Sequence, residues 1–500
     1  MQTRSLSPSK RQPSSLGKGA LVALLSGFGG LGCNSVVGLD DLRIQSNLPG
    51  ELACSDPTGF DGRGCFSCSP TNASELLNAC TATDCTPFDN ETRIPGFAAI
   101  GARPEPTAVE MEEAPAVPAA SGDEEEVPDP SLPNCAELSP RPVYLYGSSA
   151  LNLALRTLAQ AISNTATLVY QNNTSCLGLD AILTGLTRLK GTAQYWAANQ
   201  NEPLACRVEG EQPADIGLCD VSPESCSPGF AGSNNLVDDL GPAQIFMFTV
   251  PNGSTQTAIS AEAAYAVYAY DDGEVEPWVD PTSLLRRGEG SGVQLTIAAS
   301  LGLPPRFWRG VIKERSSEVK PALLTLPDPR RALGITSADV ADEMDARANL
   351  RTLAYQHFDQ SCAFTPDSSV GSSDKRNVRD GHYELWAPFH FYTRGPNGRT
   401  LDPFVAEIVS YLTGARSLPN RNTDFITTLK QGGLVPPCAM RVTRSREGAR
   451  IEPYEPMASC SCYFDASPPG GIVREDCTAC DTSAECPSTA PNCSFGYCEQ

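Results

Sequence analysis

Three short stretches carry the residue types that grip a small anion. The first is Val143-Tyr-Leu-Tyr-Gly-Ser-Ser-Ala150, a β-prone run that ends in Gly147 and delivers Ser148 and Ser149. Leu151, Leu155, Leu158 and Ile162 follow at helical spacing, so Ser148 or Ser149 is placed to cap a helix. A strand that feeds a Gly-Ser turn at a helix start presents free N–H groups and the positive end of a helix dipole to an anion. The second stretch is Thr167-Leu-Val-Tyr170, another strand candidate, which leads through Gln171 to Thr174 and Ser175. The third is Trp278 to Gly292, which brings Arg286 and Arg287 to a second Gly-Ser turn at Ser291-Gly292, with Val293, Ile297 and Leu301 on one helical face beyond it. Guanidinium groups can hold an oxyanion in bidentate fashion. Between the second and third stretches, Ala214-Asp-Ile-Gly-Leu-Cys-Asp220 is an apolar run that ends on a carboxylate. An ordinary capped turn explains any one of these stretches, and Asp220 could simply cap a loop. Successive strand ends that each deliver polar side chains are what an open α/β sheet needs at a ligand crevice.

The elements that must position these residues are legible in outline. Ala243-Gln-Ile-Phe-Met-Phe-Thr-Val-Pro251 is the most β-like run, and Ser260 to Tyr268 reads as a capped helix with Glu262 in its first turn. Asp380 to Tyr392 contains a returning strand, and Asp402-Pro403 starts a helix that Gly414 ends. Tyr265, Tyr268 and Tyr270 read as core aromatics, and His382 and His390 as packing or surface residues rather than ligands.

In this order the pieces resemble the phosphate-binding type of periplasmic substrate-binding protein. Gly147-Ser-Ser-Ala150 is similar to that family's first ligand loop, and Tyr170-Gln171 leading to Thr174-Ser175 to its second. Asp215-Ile-Gly-Leu-Cys-Asp220 resembles the strand whose final aspartate accepts a hydrogen bond from a protonated phosphate oxygen, and Arg287-Gly-Glu-Gly-Ser-Gly292 resembles the third ligand loop. Ala332 to Asp339 and Arg379 to Trp386 resemble later segments. The resemblance spans about residues 140–415. It implies a two-lobed α/β fold of type II with a hinge; the clustered cysteines on either side of it read as small flanking disulfide-rich modules. It also implies a ligand cleft lined by Ser148, Ser149, Thr174, Ser175, Asp220, Arg287, Ser291 and Gly292. Phosphate would be the default ligand, passed to an ABC-type permease or sensed, and Asp220 would reject fully deprotonated anions such as sulfate. Val293 stands where the family has threonine, and Cys219 where it has serine before the aspartate. A surface or adhesion protein that keeps the fold without binding phosphate is the competing reading.

The rest of the chain bounds these expectations. Of 500 residues, 37 are Lys or Arg and 59 Asp or Glu, a net charge of −22, so a nucleic-acid partner is not expected. Twenty cysteines against three histidines point to an oxidising compartment and disulfides rather than zinc, and no cofactor is called for. Basic residues before Ala20 to Phe28 read as an export segment. It ends in Gly30-Leu-Gly-Cys33, which resembles a bacterial lipoprotein box with Cys33 as the lipid attachment; ordinary cleavage nearby is the alternative. Lipid on Cys33 would leave an odd cysteine. The organisation expected is an export segment over 1–33, a cysteine-rich module over 34–101 and an acidic Pro-rich linker over 102–139. The binding domain then covers 140–416, with one lobe of about 140–245 and 390–416 and the other of about 246–389. A connecting segment over 417–459 and a cysteine-rich tail over 460–500 close the chain. Cys65 and Cys68 form a CxxC expected to be structural, Cys219 is a candidate partner of Cys226, and Cys362 and Cys438 pair either with each other or across lobes. No GxSxG, HExxH, GxxxxGKS or strand-borne GxGxxG motif is present, so the chain is not read as an enzyme; a hydrolase built on Ser149 would lack an obvious histidine.

Overall fold

A computed structural model describes residues 65–97 except 67 and 68, and residues 129–499 except 228, 231, 271–274 and 420–423. The export segment, Cys33, Cys54, Cys68 and residues 102–128 of the acidic linker lie outside the described residues. The centre is a twelve-stranded mixed sheet. Its first half is made of β1 (Pro142–Gly147), β2 (Thr167–Asn172), β3 (Leu189–Tyr195), β4 (Leu204–Gln212) and β5 (Ile216–Cys219). β1 pairs in parallel with β2 on one side and β5 on the other, and β3 and β4 extend the edge as an antiparallel ribbon.

β6 (Leu236–Pro251) is the strand that joins the halves, and at 16 residues it is longer than the apolar run 243–251 suggested. The second half holds β7 (Leu284–Arg287), β8 (Val311–Lys313), β9 (Leu333–Ser337) and β10 (Leu350–Thr352). β9 and β10 lie antiparallel to the distal part of β6, from Phe246 to Pro251. The chain returns on β11 (Trp386–Arg394), which pairs with the proximal part of β6 and with β5. β12 (Leu434–Val435) adds a short antiparallel pairing at Ala243 and Gln244. Two strands of opposite direction therefore cross between halves, and the returning aromatic run is where the sequence placed it.

Helices cover both faces, as buried parallel strands require. In the first half, α1 (Asn152–Ala161) connects β1 to β2 and α2 (Ser175–Leu183) connects β2 to β3. Leu151, Leu155, Leu158 and Ile162 are buried in a cluster shared with Phe389, Val405 and Leu429. On the opposite face Leu179 and Ile182 pack with Val169 and Val208. In the second half, α3 (Ala261–Ala269) is capped by Ser260, whose Oγ accepts from Ala263 N at 3.0 Å. α4 (Gly292–Leu301) and α5 (Ser316–Thr325) follow β7 and β8. Tyr265 and Tyr268 are core residues beside Phe248 and Trp308. α6 (Pro403–Leu412) is capped by Asp402 as the Asp-Pro pair predicts.

The terminal regions are built onto this body. Leu76, Leu77, Phe88 and Ile94 join the same apolar cluster as Trp386, and so do Cys460 and Phe464. Arg379, 1 % exposed, forms an ion pair with Asp465 and lies over the Phe464 ring at 5.0 Å. Lys430 donates to the carbonyls of Phe464 and Ser467 at 2.8 and 2.6 Å. Disulfides join Cys65 to Cys80, Cys85 to Cys362, Cys135 to Cys206 and Cys176 to Cys226. In the C-terminal region they join Cys438 to Cys460, Cys462 to Cys477, Cys480 to Cys493 and Cys486 to Cys498. Two expected pairings are corrected. Cys226 bonds to Cys176 at the start of α2, while Cys219 is a buried free thiol on β5. Cys362 and Cys438 bond not to each other but to Cys85 and Cys460, because each lies beside a terminal segment packed onto the body. No helix among the described residues is long and apolar enough to cross a membrane.

Candidate anion-type site between the two half-sheets

The carboxyl ends of the parallel strands in both halves point their following residues at one place. Three glycines set the geometry in the first half. A Cβ on Gly147 would stand 2.1 Å from Leu218 O, one on Gly178 2.4 Å from the same carbonyl, and one on Gly217 2.2 Å from Gly178 O. Without side chains at these positions, α2 lies directly on β1 and β5, and its first turn reaches the residue after β5, Asp220. Gly147 also has φ +128°, a conformation that favours glycine. Tyr170, fully buried, braces the turn by donating to Gly147 O at 3.2 Å and Ser148 O at 2.9 Å.

Asp220 is the hub. Ser148 Oγ donates to its Oδ2 at 3.3 Å, and Ser175 Oγ makes a short hydrogen bond to its Oδ1. From the second half, Gly292 N donates to Ser175 Oγ at 3.3 Å, and the Gly292 Cα is packed on the Asp220 carboxylate. Cys176 N donates to Gly290 O at 3.4 Å, a second link between halves. The residues before α2 and α4, Thr174 and Ser291, make no side-chain capping bond, which leaves their hydroxyls available. Ser148 does cap, accepting from Ala150 N at 3.4 Å, and a 3-10 turn over Ser149–Leu151 precedes α1.

Six of the eight residues expected in the cleft are thus gathered here: Ser148, Thr174, Ser175, Asp220, Ser291 and Gly292. Ser149 is half-buried, and among the described residues its hydroxyl has no hydrogen-bond partner. Arg287 is near enough to Asp220 to stabilise its charge, yet each of its guanidinium nitrogens already makes a bond elsewhere. Nε donates to Lys313 O at 2.8 Å, Nη2 to Glu314 O at 2.6 Å, and Nη1 makes a short bond to Ser316 Oγ. It holds the β8–α5 turn and acts on the site through its charge. Val293 is buried in the core cluster rather than facing the cleft. His382 bonds Ala79 O and His390 bonds Asp238, both as packing residues.

Burial pushes the Asp220 carboxyl above its usual range, against the opposing pull of the Ser175 and Ser148 hydroxyls and Arg287. The neighbouring Cys219 thiol is raised far more, first by burial and then by the Asp220 charge, so it stays protonated and inert. Burial lowers the Arg287 pKa, with Asp220 and Asp339 pulling it back up. Asp339 itself was not expected. It follows β9, receives Gln244 Nε2 at 3.3 Å, and is pushed up to about 6, first by burial and with the repulsion of Asp220 adding to it. Its segment, Ala332 to Asp339, stood out in the sequence, but nothing there marked the carboxylate as belonging to the cleft.

A strap from the 417–459 region crosses the same place. Glu447 accepts from Ser222 N at 2.9 Å and Ser222 Oγ at 2.8 Å, and makes a short bond with Ser225 Oγ, all just beyond Asp220. The adjacent Gly448 rides on α4, where a Cβ would stand 2.9 Å from Ala299. Arg444 anchors the strap in the second half through an ion pair with Glu384 and lies over the Trp386 ring at 4.3 Å.

The site belongs to a two-halved α/β fold with polar strand ends facing one another. No protein-family model and no curated protein matches the chain. Solved structures with a similar fold include an ABC-type phosphate transport receptor from Vibrio cholerae, at 15 % identity and a TM-score of 0.37 over 59 % of this chain and 100 % of that one. A phosphate-binding protein from Stenotrophomonas maltophilia gives 11 % identity and 0.38 over 59 % of this chain and 91 % of that one. The CcmR regulatory domain from Synechocystis, in complex with 2-PG, gives 9 % identity and 0.33 over 56 % and 99 %. Scores and identities at this level assign no ligand to the chain, and the topology described above stands on its own pairings.

Proposed function

We propose that this protein binds a small oxyanion that retains a proton, with phosphate the first candidate, between the two half-sheets. One observation carries the reading: Ser148, Ser175 and Gly292, each at or beside a helix start and drawn from both halves, converge on the buried carboxylate of Asp220. Helix starts and hydroxyls supply donors to an anion. Asp220, an acceptor, is matched by a ligand that still carries a hydrogen, so a phosphate fits and a sulfate leaves an acceptor facing an acceptor, at a cost of about 1–3 kcal/mol. Arg287 supplies positive charge beside Asp220. The cysteine count is compatible with export and with lipid on Cys33. Cys219 accounts for the odd thiol, so lipidation need not strand another cysteine. A transporter permease or a sensory partner would receive the ligand.

The strap favours a second reading, a surface protein that keeps the fold closed and binds no anion. Glu447 and Gly448 tie the halves together beside Asp220, where a transport receptor would have to open. Thermal melting of the full chain against phosphate, arsenate and sulfate separates the two. A rise in melting temperature with phosphate and arsenate but not sulfate supports binding; identical melts in all three support the second reading.

A further inference from the structure

The cleft contains a second carboxylate, contributed by the half opposite Asp220. Asp339 is placed by the end of β9, where Ser337 Oγ stands 3.5 Å from Ser316 Oγ, the hydroxyl that Arg287 grips. Its Oδ1 receives Gln244 Nε2 at 3.3 Å from the crossing strand β6. Gln244 is fully buried, and its other amide atom, Oε1, has no partner among the described residues; neither has the buried Thr336 Oγ1. The turn is backed from behind by Gly433, where a Cβ would stand 2.7 Å from Ala338, so Asp339 is held in place. Asp339 itself is half-buried. The titratable groups that face it are Asp220, the Arg287 guanidinium and the Tyr170 phenol.

Resting on the oxyanion reading above, we propose that Asp339 is a specificity-determining residue of the cleft. It requires two acidic hydrogens in the complex, one between the anion and Asp220 and one between the anion and Asp339. Two carboxylates, Asp220 and Asp339, share this side of the site with one guanidinium, whose single positive charge cannot neutralise both a dianion and the pair. The complex therefore contains one proton more than monohydrogen phosphate and two free carboxylates contain together. Whether that proton is assigned to phosphate or to Asp339, the composition is the same. Burial and the repulsion from Asp220 already raise the affinity of Asp339 for a proton, to a pKa of about 6 without ligand, which points the same way. The class of ligand is thus a small oxyanion that is taken up together with one proton beyond its monohydrogen form.

The test is calorimetric titration of the full chain with inorganic phosphate from about pH 6 to about pH 8.5, in buffers of different ionisation enthalpy. The wild-type affinity falls by up to about tenfold per pH unit above neutrality, the limit for uptake of one proton, and the heats report that uptake. In Asp339→Asn the slope shrinks to less than about threefold over the interval, and at the alkaline end the variant binds more tightly than wild type. Binding in the wild type without proton uptake, or an unchanged slope in the variant, overturns the role of Asp339 and leaves the oxyanion reading standing. No phosphate binding at any pH overturns that reading itself, and Asp339 with it. Should Asp339→Asn fail to fold, Asp339→Ser and the wild-type proton uptake decide.

Discussion

Gly292 of the second half touches Asp220 of the first so closely that a Cβ at 292 would stand 1.8 Å from the Asp220 Oδ1. The carboxylate cannot retreat, because Ser175 and Ser148 hold it and it is 4 % exposed. Glycine at this position is therefore what lets the halves meet, and Gly292 N–H adds a hydrogen bond to Ser175 across the junction.

Gly292→Ala should accordingly separate the halves. The expected cost is about 1–3 kcal/mol in denaturant unfolding, the range for forcing a methyl into a packed site, with loss of phosphate binding. Gly371→Ala, where a Cβ meets nothing within 4 Å, is the control and should change neither. Equal behaviour of the two variants would show that the junction is looser than described.

Glu447 holds the strap to the first half through Ser222 and Ser225. Glu447→Ala leaves the Ser222 N–H and two hydroxyls without their acceptor and should destabilise by about 1–3 kcal/mol. Hydrogen exchange should also accelerate over residues 442–451. Unchanged protection there would mean that other contacts carry the strap.

The covalent frame is checked by peptide mapping under non-reducing conditions. Peptides joining Cys176 to Cys226 and Cys85 to Cys362 are expected, with Cys219 alkylated only after denaturation. Because 277 residues separate Cys85 from Cys362, replacing both by serine should cost about 3–5 kcal/mol through release of the unfolded chain. A Cys219–Cys226 peptide would contradict the arrangement around Asp220.

Asp339 also makes a prediction for the ligand-free protein. Its folded pKa, about 6, lies above the ordinary carboxyl value of 3.8, so between these values the folded state holds more proton than the unfolded one. Stability from this group is therefore present at the acid end and lost as pH rises toward 6, with no further change above. Asp339→Asn removes that loss, so the melting difference between variant and wild type should grow in the variant's favour from about pH 4 to about pH 6 and then level off. A difference that is constant with pH would place Asp339 in solvent.

Much of this arrangement is readable from the chain because it is local. The turn after Gly147, the hydroxyls at Thr174 and Ser175 and the Ser291-Gly292 helix start are each decided by a few neighbouring residues. Asp220 ends a four-residue strand whose side chains are all buried, and the carboxylate directly after it has nowhere to go but the cleft. What local patterns could not reveal depends on partners distant in sequence. Arg287 looks free until Lys313, Glu314 and Ser316 close around it. Asp339 looks like an ordinary first-turn acid until Gln244, 95 residues earlier, meets it. Cys219 and Cys226 are near in sequence, but Cys219 turns into the core from β5 and leaves Cys226 to the first turn of α2. The strap around Glu447 has no periodicity to announce it, since its role rests on single contacts to each half.

The central claim is that Ser175, Asp220 and Gly292 form one anion site, and calorimetric titration of phosphate into wild type and Ser175→Ala near neutral pH tests it most directly. Saturable one-to-one binding in the wild type, weakened by about tenfold or more in the variant by loss of a hydroxyl bound to a charged group, is the predicted result. Absence of heat from phosphate and from every other small oxyanion in the wild type, or equal affinity in both proteins, would contradict it.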